Sequence, residues 1–383
     1  MTANTTADPP FGSKDMKIAI IHYWLVSMRG GERVLERICR LFPQADIYTH
    51  AYDPDSVSAY LRSRNIKTTF IQKLPFATRL YRKYLPLMPL ALEELDLYEY
   101  DLVISSESGP AKGILPRPDA THVCYCHSPM RYIWDQYHLY KKLAGMPTRA
   151  VMPLISHKLR QWDVISAARV DRFAANSAFV AERINKFYRR DAEIIHPPVN
   201  VDLFAPEAEQ DGYFLWVGHL VPYKACDIAV EAFNRLQLPL LVVGTGSERR
   251  RLERMAKGNI RFVDGLPLAE LRRAYARAQA LVFTAKEDFG IVPLEAQASG
   301  RPVIAYGAGG ALETVKHKLT GLLYPEQSTA SLIEAVETFQ KWKGSFDPNA
   351  AVSHARTFAP EQFDSQFLAF VMKAAGERHF VRV

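Results

Sequence analysis

No run of apolar residues in this 383-residue chain approaches the roughly 18 that a membrane-spanning helix needs. Cysteine is scarce. Cys39, Cys124, Cys126 and Cys226 have no zinc-binding spacing, and Cys124 and Cys126 would share one face of a strand because side chains alternate. They read as small buried apolar groups and not as a redox or metal centre. The first fifteen residues are polar and have no apolar middle, so residues 1–15 read as a disordered leader on a cytoplasmic protein and not as a signal peptide. One further absence is local: between Asp55 and Glu93 there is no acidic residue. The same stretch carries Arg62, Arg64, Lys67, Lys73, Arg79, Arg82 and Lys83, which together match the net charge of +7 of the whole chain.

Within that stretch, "FIQKLPFATRLYRKYLPLMPL" sets Lys73, Arg79, Arg82 and Lys83 among Phe76, Tyr81 and Leu85. This composition suits docking on an anionic membrane surface, although a solvated basic face over a core helix would look the same. Nucleic acid also attracts such a patch, but the rest of the chain argues against it.

What is present is the composition of a globular protein, 48% hydrophobic and 23% charged, with length enough for two domains. Both halves alternate short apolar strands with amphipathic helices, which predicts two α/β, Rossmann-like doubly wound domains with parallel sheets, facing each other across a cleft. The first domain is expected over 16–196, with strands at "MKIAIIHYWL", "DIYTHAY", "DLVISSE", "HVCYCH" and "RFAANS". Prolines and acidic residues mark 197–212 as a linker. A second domain is expected over 213–360, followed by a C-terminal helix at 361–383 able to cross back to the first. Ligands of such sheets bind beyond the carboxyl ends of the strands.

The stretch "TAKEDFGIVPLEAQASG" carries Glu287 and Glu295 around a strand end and a helix start. Pro293 suits the first turn of that helix, which places Glu295 in the same turn and Glu287 ahead of it. Free N–H groups near Phe289, Gly290 and Ile291, with the helix dipole, offer an anion site suited to a diphosphate. Carboxylates beside a phosphate site can hold vicinal hydroxyls, one on a ribose and one on a sugar; helix capping is the plainer reading. Lys224, in a loop between strand and helix, could neutralise phosphate or simply be solvated. Gly244 and Gly246 follow a strand, and Gly307, Gly309 and Gly310 precede a helix, where backbone can approach an anion.

These motifs together, E-x7-E in "EDFGIVPLEAQASGRPVIAYGAGGALE", "LVPYK" and "RGGERVLE", resemble the family-four retaining glycosyltransferases of the GT-B fold over roughly residues 16 to 360. Within that family, "YLPLMPLALEELDLYEYDLVISSESGPAKG" and "CYCHSPMRYIWDQY" look most like bacterial mannosyltransferases of O-antigen and exopolysaccharide assembly. The resemblance implies GDP-mannose as donor substrate, a polyprenyl-diphosphate-linked saccharide as acceptor, no cofactor, no metal, and work at the inner face of the cell membrane. It implies that Glu295 holds the nucleotide ribose, Glu287 the donor hexose, and Lys224 the diphosphate, near Gly218 and Gly244. Gly30 and Gly31 match the acceptor-side glycine loop, and His127 matches a histidine beside the donor sugar, though a core histidine at a strand end is its plain alternative. Glu32 completes the G-G-E or serves as a first-turn helix acid. One position departs from the pattern: His219 stands where relatives usually have arginine, and a neutral imidazole does not replace a guanidinium fork.

With no second carboxylate nucleophile in the pattern, reaction on one face through an oxocarbenium-like state is implied, the leaving diphosphate taking the acceptor proton. The D-P-D at Asp53 to Asp55 reads as a turn and not as a metal-binding D-x-D. A UDP-sugar transferase, a non-catalytic sugar-nucleotide or membrane-binding relative, a phosphorylase and a dinucleotide oxidoreductase are the other classes. A phosphorylase needs a pyridoxal-bearing lysine and a longer chain, and a dinucleotide oxidoreductase needs the full G-x-G-x-x-G that this sequence lacks after its first strand.

Overall fold

The computed structural model describes residues 16–379; the leader expected at 1–15 lies outside the described residues. Residues 16–195 and 364–379 form one compact unit, and His196–Phe363 forms another.

The first unit holds a seven-stranded sheet of β1 (Ile18–His22), β2 (Asp46–Thr49), β3 (Ile66–Thr68), β4 (Leu102–Glu107), β5 (Thr121–Cys126), β6 (Arg172–Ala175) and β7 (Ala192–Ile194). Its order is β3-β2-β1-β4-β5-β6-β7 and every pairing is parallel. β1, β4 and β5 are buried at every residue, as parallel strands covered on both faces must be. All four cysteines are buried and free, and burial pushes the Cys39 thiol up to about 12, so none is poised to react. Phe367, on the closing helix Pro360–His379, packs on Phe42 and Tyr125, and Arg37 grips Asp364 with two hydrogen bonds of 2.7 and 2.5 Å.

The second unit holds β8 (Phe214–Val217), β9 (Leu240–Val243), β10 (Ile260–Val263), β11 (Leu281–Phe283), β12 (Val303–Tyr306) and β13 (Gly321–Tyr324), all parallel, in the order β10-β9-β8-β11-β12-β13. In the stretch that reads as linker, Val199, Val201 and Phe204 are buried in this unit's core, and the Val199 N–H donates to the Phe358 carbonyl at 2.9 Å.

In both sheets the strand order reverses beside the first strand of the unit, between β1 and β4 and between β8 and β11. Connections leave in opposite directions at such a point, which opens a crevice at the carboxyl ends of the strands.

Candidate functional site

In the second unit the loops after β8, β9, β11 and β12 meet at the carboxyl end of the sheet. Lys224 ends a short 3-10 turn, Pro222–Lys224, and its ammonium pairs with the Glu287 carboxylate, both side chains being less than one-fifth exposed. Thr284, buried at the end of β11, fixes that turn: its hydroxyl donates to the Lys224 carbonyl at 2.9 Å and accepts from Trp216 Nε1 at 3.1 Å. The loops after β8 and β9 are sewn together by Gly218 N–H to Val243 O at 3.1 Å and Leu220 N–H to Thr245 O at 2.8 Å. A Cβ on Gly244 would fall on the Gly218 carbonyl, so Gly244 is what allows this close approach of two loops. The His219 ring is exposed and held by Nδ1 against the Thr245 carbonyl at 2.7 Å. Glu287 also bridges to Gly309 in the loop after β12, whose next residue, Gly310, donates its N–H to the Glu287 carbonyl at 2.9 Å.

The helix beyond β11 runs Ile291–Ala298, with Gly290 as its N-cap at φ +95°. No side chain caps it, and its first N–H groups have no intrahelical acceptor, as an anion site requires. One expectation is corrected here. Glu295 is the fifth helical residue, not a first-turn acid, because Gly290 takes the cap and delays the helix start; capping therefore does not explain it. Instead it accepts a hydrogen bond of 2.7 Å from the hydroxyl of Tyr275, a buried residue on the helix Leu268–Arg277. The Phe289 side chain points into the core against His196 and Phe358, which leaves only its backbone for a ligand.

In the first unit, Gly30 and Gly31 are not loop residues. They open the helix Gly30–Leu41, whose capping box has the Glu32 carboxylate accepting from the Arg29 N–H at 2.9 Å. A Cβ on Gly31 would overlap the Tyr23 hydroxyl and come within 3.8 Å of His127 Nε2, so the bare backbone brings helix start, tyrosine and histidine together. His127 follows β5 and donates its N–H to the Glu107 carbonyl at 2.8 Å. Glu107 belongs to a fully buried cluster in which the Lys112 ammonium lies 3.2 Å from Glu107 Oε1 and also contacts Asp163. Burial alone would push that ammonium's pKa down, but Asp163 and Glu107 outweigh it and hold the pKa above the ordinary lysine value. Trp134 Nε1–H and the Tyr188 hydroxyl complete Asp163 at 2.7 and 2.9 Å.

The D-P-D is a turn: Asp53 caps Pro54–Ser56, accepting from Asp55 N–H at 3.2 Å and Ser56 Oγ–H at 2.7 Å. On the basic segment, Lys73, Arg79, Arg82 and Lys83 are exposed, and Phe76 is 70% exposed. Tyr81 and Leu85 depart from the expected inserting role. Tyr81 packs on Trp24 at 4.8 Å, and Leu85 joins the apolar clusters around Ile71 and Met88 and around Ile133 and Leu159. Lys67 is withdrawn into an ion pair with Asp46 at 2.8 Å. No helix among the described residues is long and apolar enough to cross a membrane.

Thr284, Tyr275, Ser106 and His22 carry no motif, and sequence reasoning passes over them; the only signal for Thr284, Ser106 and His22 is a place at or near a strand end, and Tyr275, on a helix, has none.

The chain resembles the D-inositol 3-phosphate glycosyltransferase of Mycobacteroides abscessus, 31% identical over 215 residues covering 49% of this chain and 48% of the relative. It resembles that of Geodermatophilus obscurus at 30% over 244 residues, covering 55% and 54%. The chain thus spans about half the length of these curated relatives. Among solved structures, Anabaena HepE in complex with UDP superposes with a TM-score of 0.69 at 17% identity, covering 94% of this chain and all of that one. The lipopolysaccharide outer core galactosyltransferase WaaB gives 0.62 at 16% identity, covering 96% of this chain. Residues 28–203 match the family model "Glycosyltransferase Family 4" and residues 203–345 match "Glycosyl transferases group 1", and the two parallel sheets, of seven and six strands, are those of the GT-B fold.

Proposed function

We propose that the protein is a retaining glycosyltransferase that takes a hexose from a nucleotide sugar, and that the hexose is α-mannose from GDP-mannose. The acceptor in this reading is a polyprenyl-diphosphate-linked saccharide of bacterial surface-polysaccharide synthesis, met at the cytoplasmic face of the cell membrane. The observation that carries the reading is the paired Lys224 and Glu287 beside the uncapped start of Ile291–Ala298. Donor entry breaks this ion pair: Lys224 forms a new one with the diphosphate, and Glu287 accepts hydrogen bonds from the hexose hydroxyls. The charge that grows on the leaving diphosphate is met by the ammonium and the helix N–H groups, and the diphosphate itself takes the acceptor proton, with no metal in the step. The relatives named for D-inositol 3-phosphate leave the acceptor class open to test, and the HepE complexes with UDP and UDP-glucose favour a second reading with a UDP-sugar donor. A thermal-shift panel of GDP-, UDP- and ADP-sugars separates the donors: stabilisation by GDP-mannose alone supports the first reading and by a UDP-sugar alone the second.

Glu295, braced by Tyr275, is the ribose ligand in this reading. A hydrogen bond to a charged group is worth about 1.5–3 kcal/mol, so Glu295→Ala is expected to weaken nucleotide binding roughly ten- to a hundredfold in titration calorimetry. Tyr275→Phe removes only the brace and should cost a few-fold. Unchanged affinity in Glu295→Ala would show that the ribose lies elsewhere.

The lipid surface is supported by a second element beside the basic segment. The helix Met146–Ala167 has one acidic residue, Asp163, which is buried. It exposes Val151, Leu154 and Ile165 by more than half, on the side of the helix opposite Ser156, Leu159 and Asp163, with Lys158 among them. An apolar stripe with a cation and no exposed acid on its helix suits an anionic interface.

A further inference from the structure

Strand register brings a polar row to the switch point of the first sheet. His22 at the end of β1 is the register partner of Ser106 on β4, and His127 follows β5 on the other side. His22 Nδ1 lies 3.0 Å from Ser106 Oγ, and Ser106 Oγ lies 2.9 Å from His127 Nε2. All three residues are buried, His127 at 9% exposure facing the Gly31 and Tyr23 corner. His22 Nε2 is buried with no partner, as is the hydroxyl of Thr49, the register partner of His22 on β2.

One hydroxyl proton serves two ring nitrogens. Ser106 can donate to only one imidazole, so the other must donate its own N–H to Oγ, and the two tautomers are tied together. A proton on His22 Nε2 would be a buried N–H without an acceptor, a rarer arrangement than an unpaired buried acceptor. A proton on His22 Nδ1 is used in the contact with Ser106. The direction that results is His22 Nδ1–H to Ser106 Oγ, and Ser106 O–H to His127 Nε2. Burial, with His127 beside it, holds the His22 pKa well below the ordinary histidine value, so His22 stays neutral and keeps one proton to give.

We propose that Ser106 and His22 are positioning residues that hold His127 as its Nδ1–H tautomer, so that this ring keeps a fixed donor at Nδ1 and a fixed acceptor at Nε2. The proposal rests on the donor-side reading of His127, but its first test does not need catalysis. In long-range proton–nitrogen spectra of the nitrogen-labelled protein, assigned with a His127→Gln variant, His127 is expected to show a protonated Nδ1 and an unprotonated Nε2. Ser106→Ala should release the lock and move His127 toward a mixture of tautomers, and Ser106→Thr, which keeps the hydroxyl, should retain the wild-type pattern. In turnover, Ser106→Ala is expected to lower kcat about tenfold, the worth of one hydrogen bond, with nucleotide-sugar affinity within about twofold and recovery in Ser106→Thr. A wild-type His127 protonated at Nε2, or a tautomer indifferent to Ser106→Ala, overturns the proposal whatever the activity. The expected tautomers without any sugar transfer would overturn the transferase reading and leave the lock standing.

Discussion

Lys112→Met is expected to destabilise the first unit by about 3–5 kcal/mol, the loss that follows when one partner of a fully buried charge cluster is removed. Lys112, Glu107 and Asp163 are wholly buried, and the ammonium stands between the two carboxylates. Without it, two carboxylates remain in the interior with only neutral donors: the Ala111 and Lys112 N–H groups at 2.9 and 2.7 Å on Glu107, and Trp134 and Tyr188 on Asp163. Since a domain is stable by only about 5–15 kcal/mol, denaturant midpoints should fall steeply. Lys112→Met combined with Glu107→Gln and Asp163→Asn should recover part of the loss, because it no longer buries unpaired charge. A change under about 1 kcal/mol in Lys112→Met would mean that the cluster is not charged as drawn. The consequence reaches function through the backbone: Glu107 carries the carbonyl that holds His127 in place.

The second large effect is on lipid binding. Changing Lys73, Arg79, Arg82 and Lys83 together to Gln should weaken binding to anionic vesicles by up to about 4 kcal/mol, at about 1 kcal/mol per cation near an anionic leaflet. That is roughly a thousandfold, less what salt already screens. All four side chains are exposed, and none lies in the loops of the second unit proposed to hold the donor, so donor hydrolysis in solution should persist. Apolar anchoring is assigned to Phe76 and to Val151, Leu154 and Ile165, since Tyr81 and Leu85 are packed inward. Flotation with anionic and neutral liposomes gives the answer: equal recovery of wild type and the fourfold variant from anionic vesicles would remove this docking face.

Local chemistry was legible where one stretch of chain holds the whole signal. "IAIIH" reads as a strand because a parallel strand covered on both faces must be apolar throughout, and the loop with Glu287 reads as a ligand loop because strand, glycine and proline follow in order. β3, β7 and β13 went unread: they are sheet edges of three or four residues, and sequences such as "IKT" and "AEI" have no period to detect. The facing of Tyr81 and Leu85 was illegible for a related reason. Pro75, Pro86 and Pro89 break 70–93 into short turns, so no helical repeat announces which side is inward. His22 and Ser106 stand 84 residues apart and Tyr275 and Glu295 stand 20 apart, and only strand order and helix packing bring them into contact.

The most direct test of the central claim is release of nucleoside diphosphate from GDP-mannose, UDP-glucose and ADP-glucose by the purified wild type and by Glu287→Ala, followed with and without a lipid-linked saccharide acceptor. The account predicts slow release from one donor by the wild type, faster release with acceptor, and turnover reduced at least tenfold in Glu287→Ala with nucleotide affinity largely kept. A wild type that binds none of the donors, or equal release by wild type and Glu287→Ala, would contradict it.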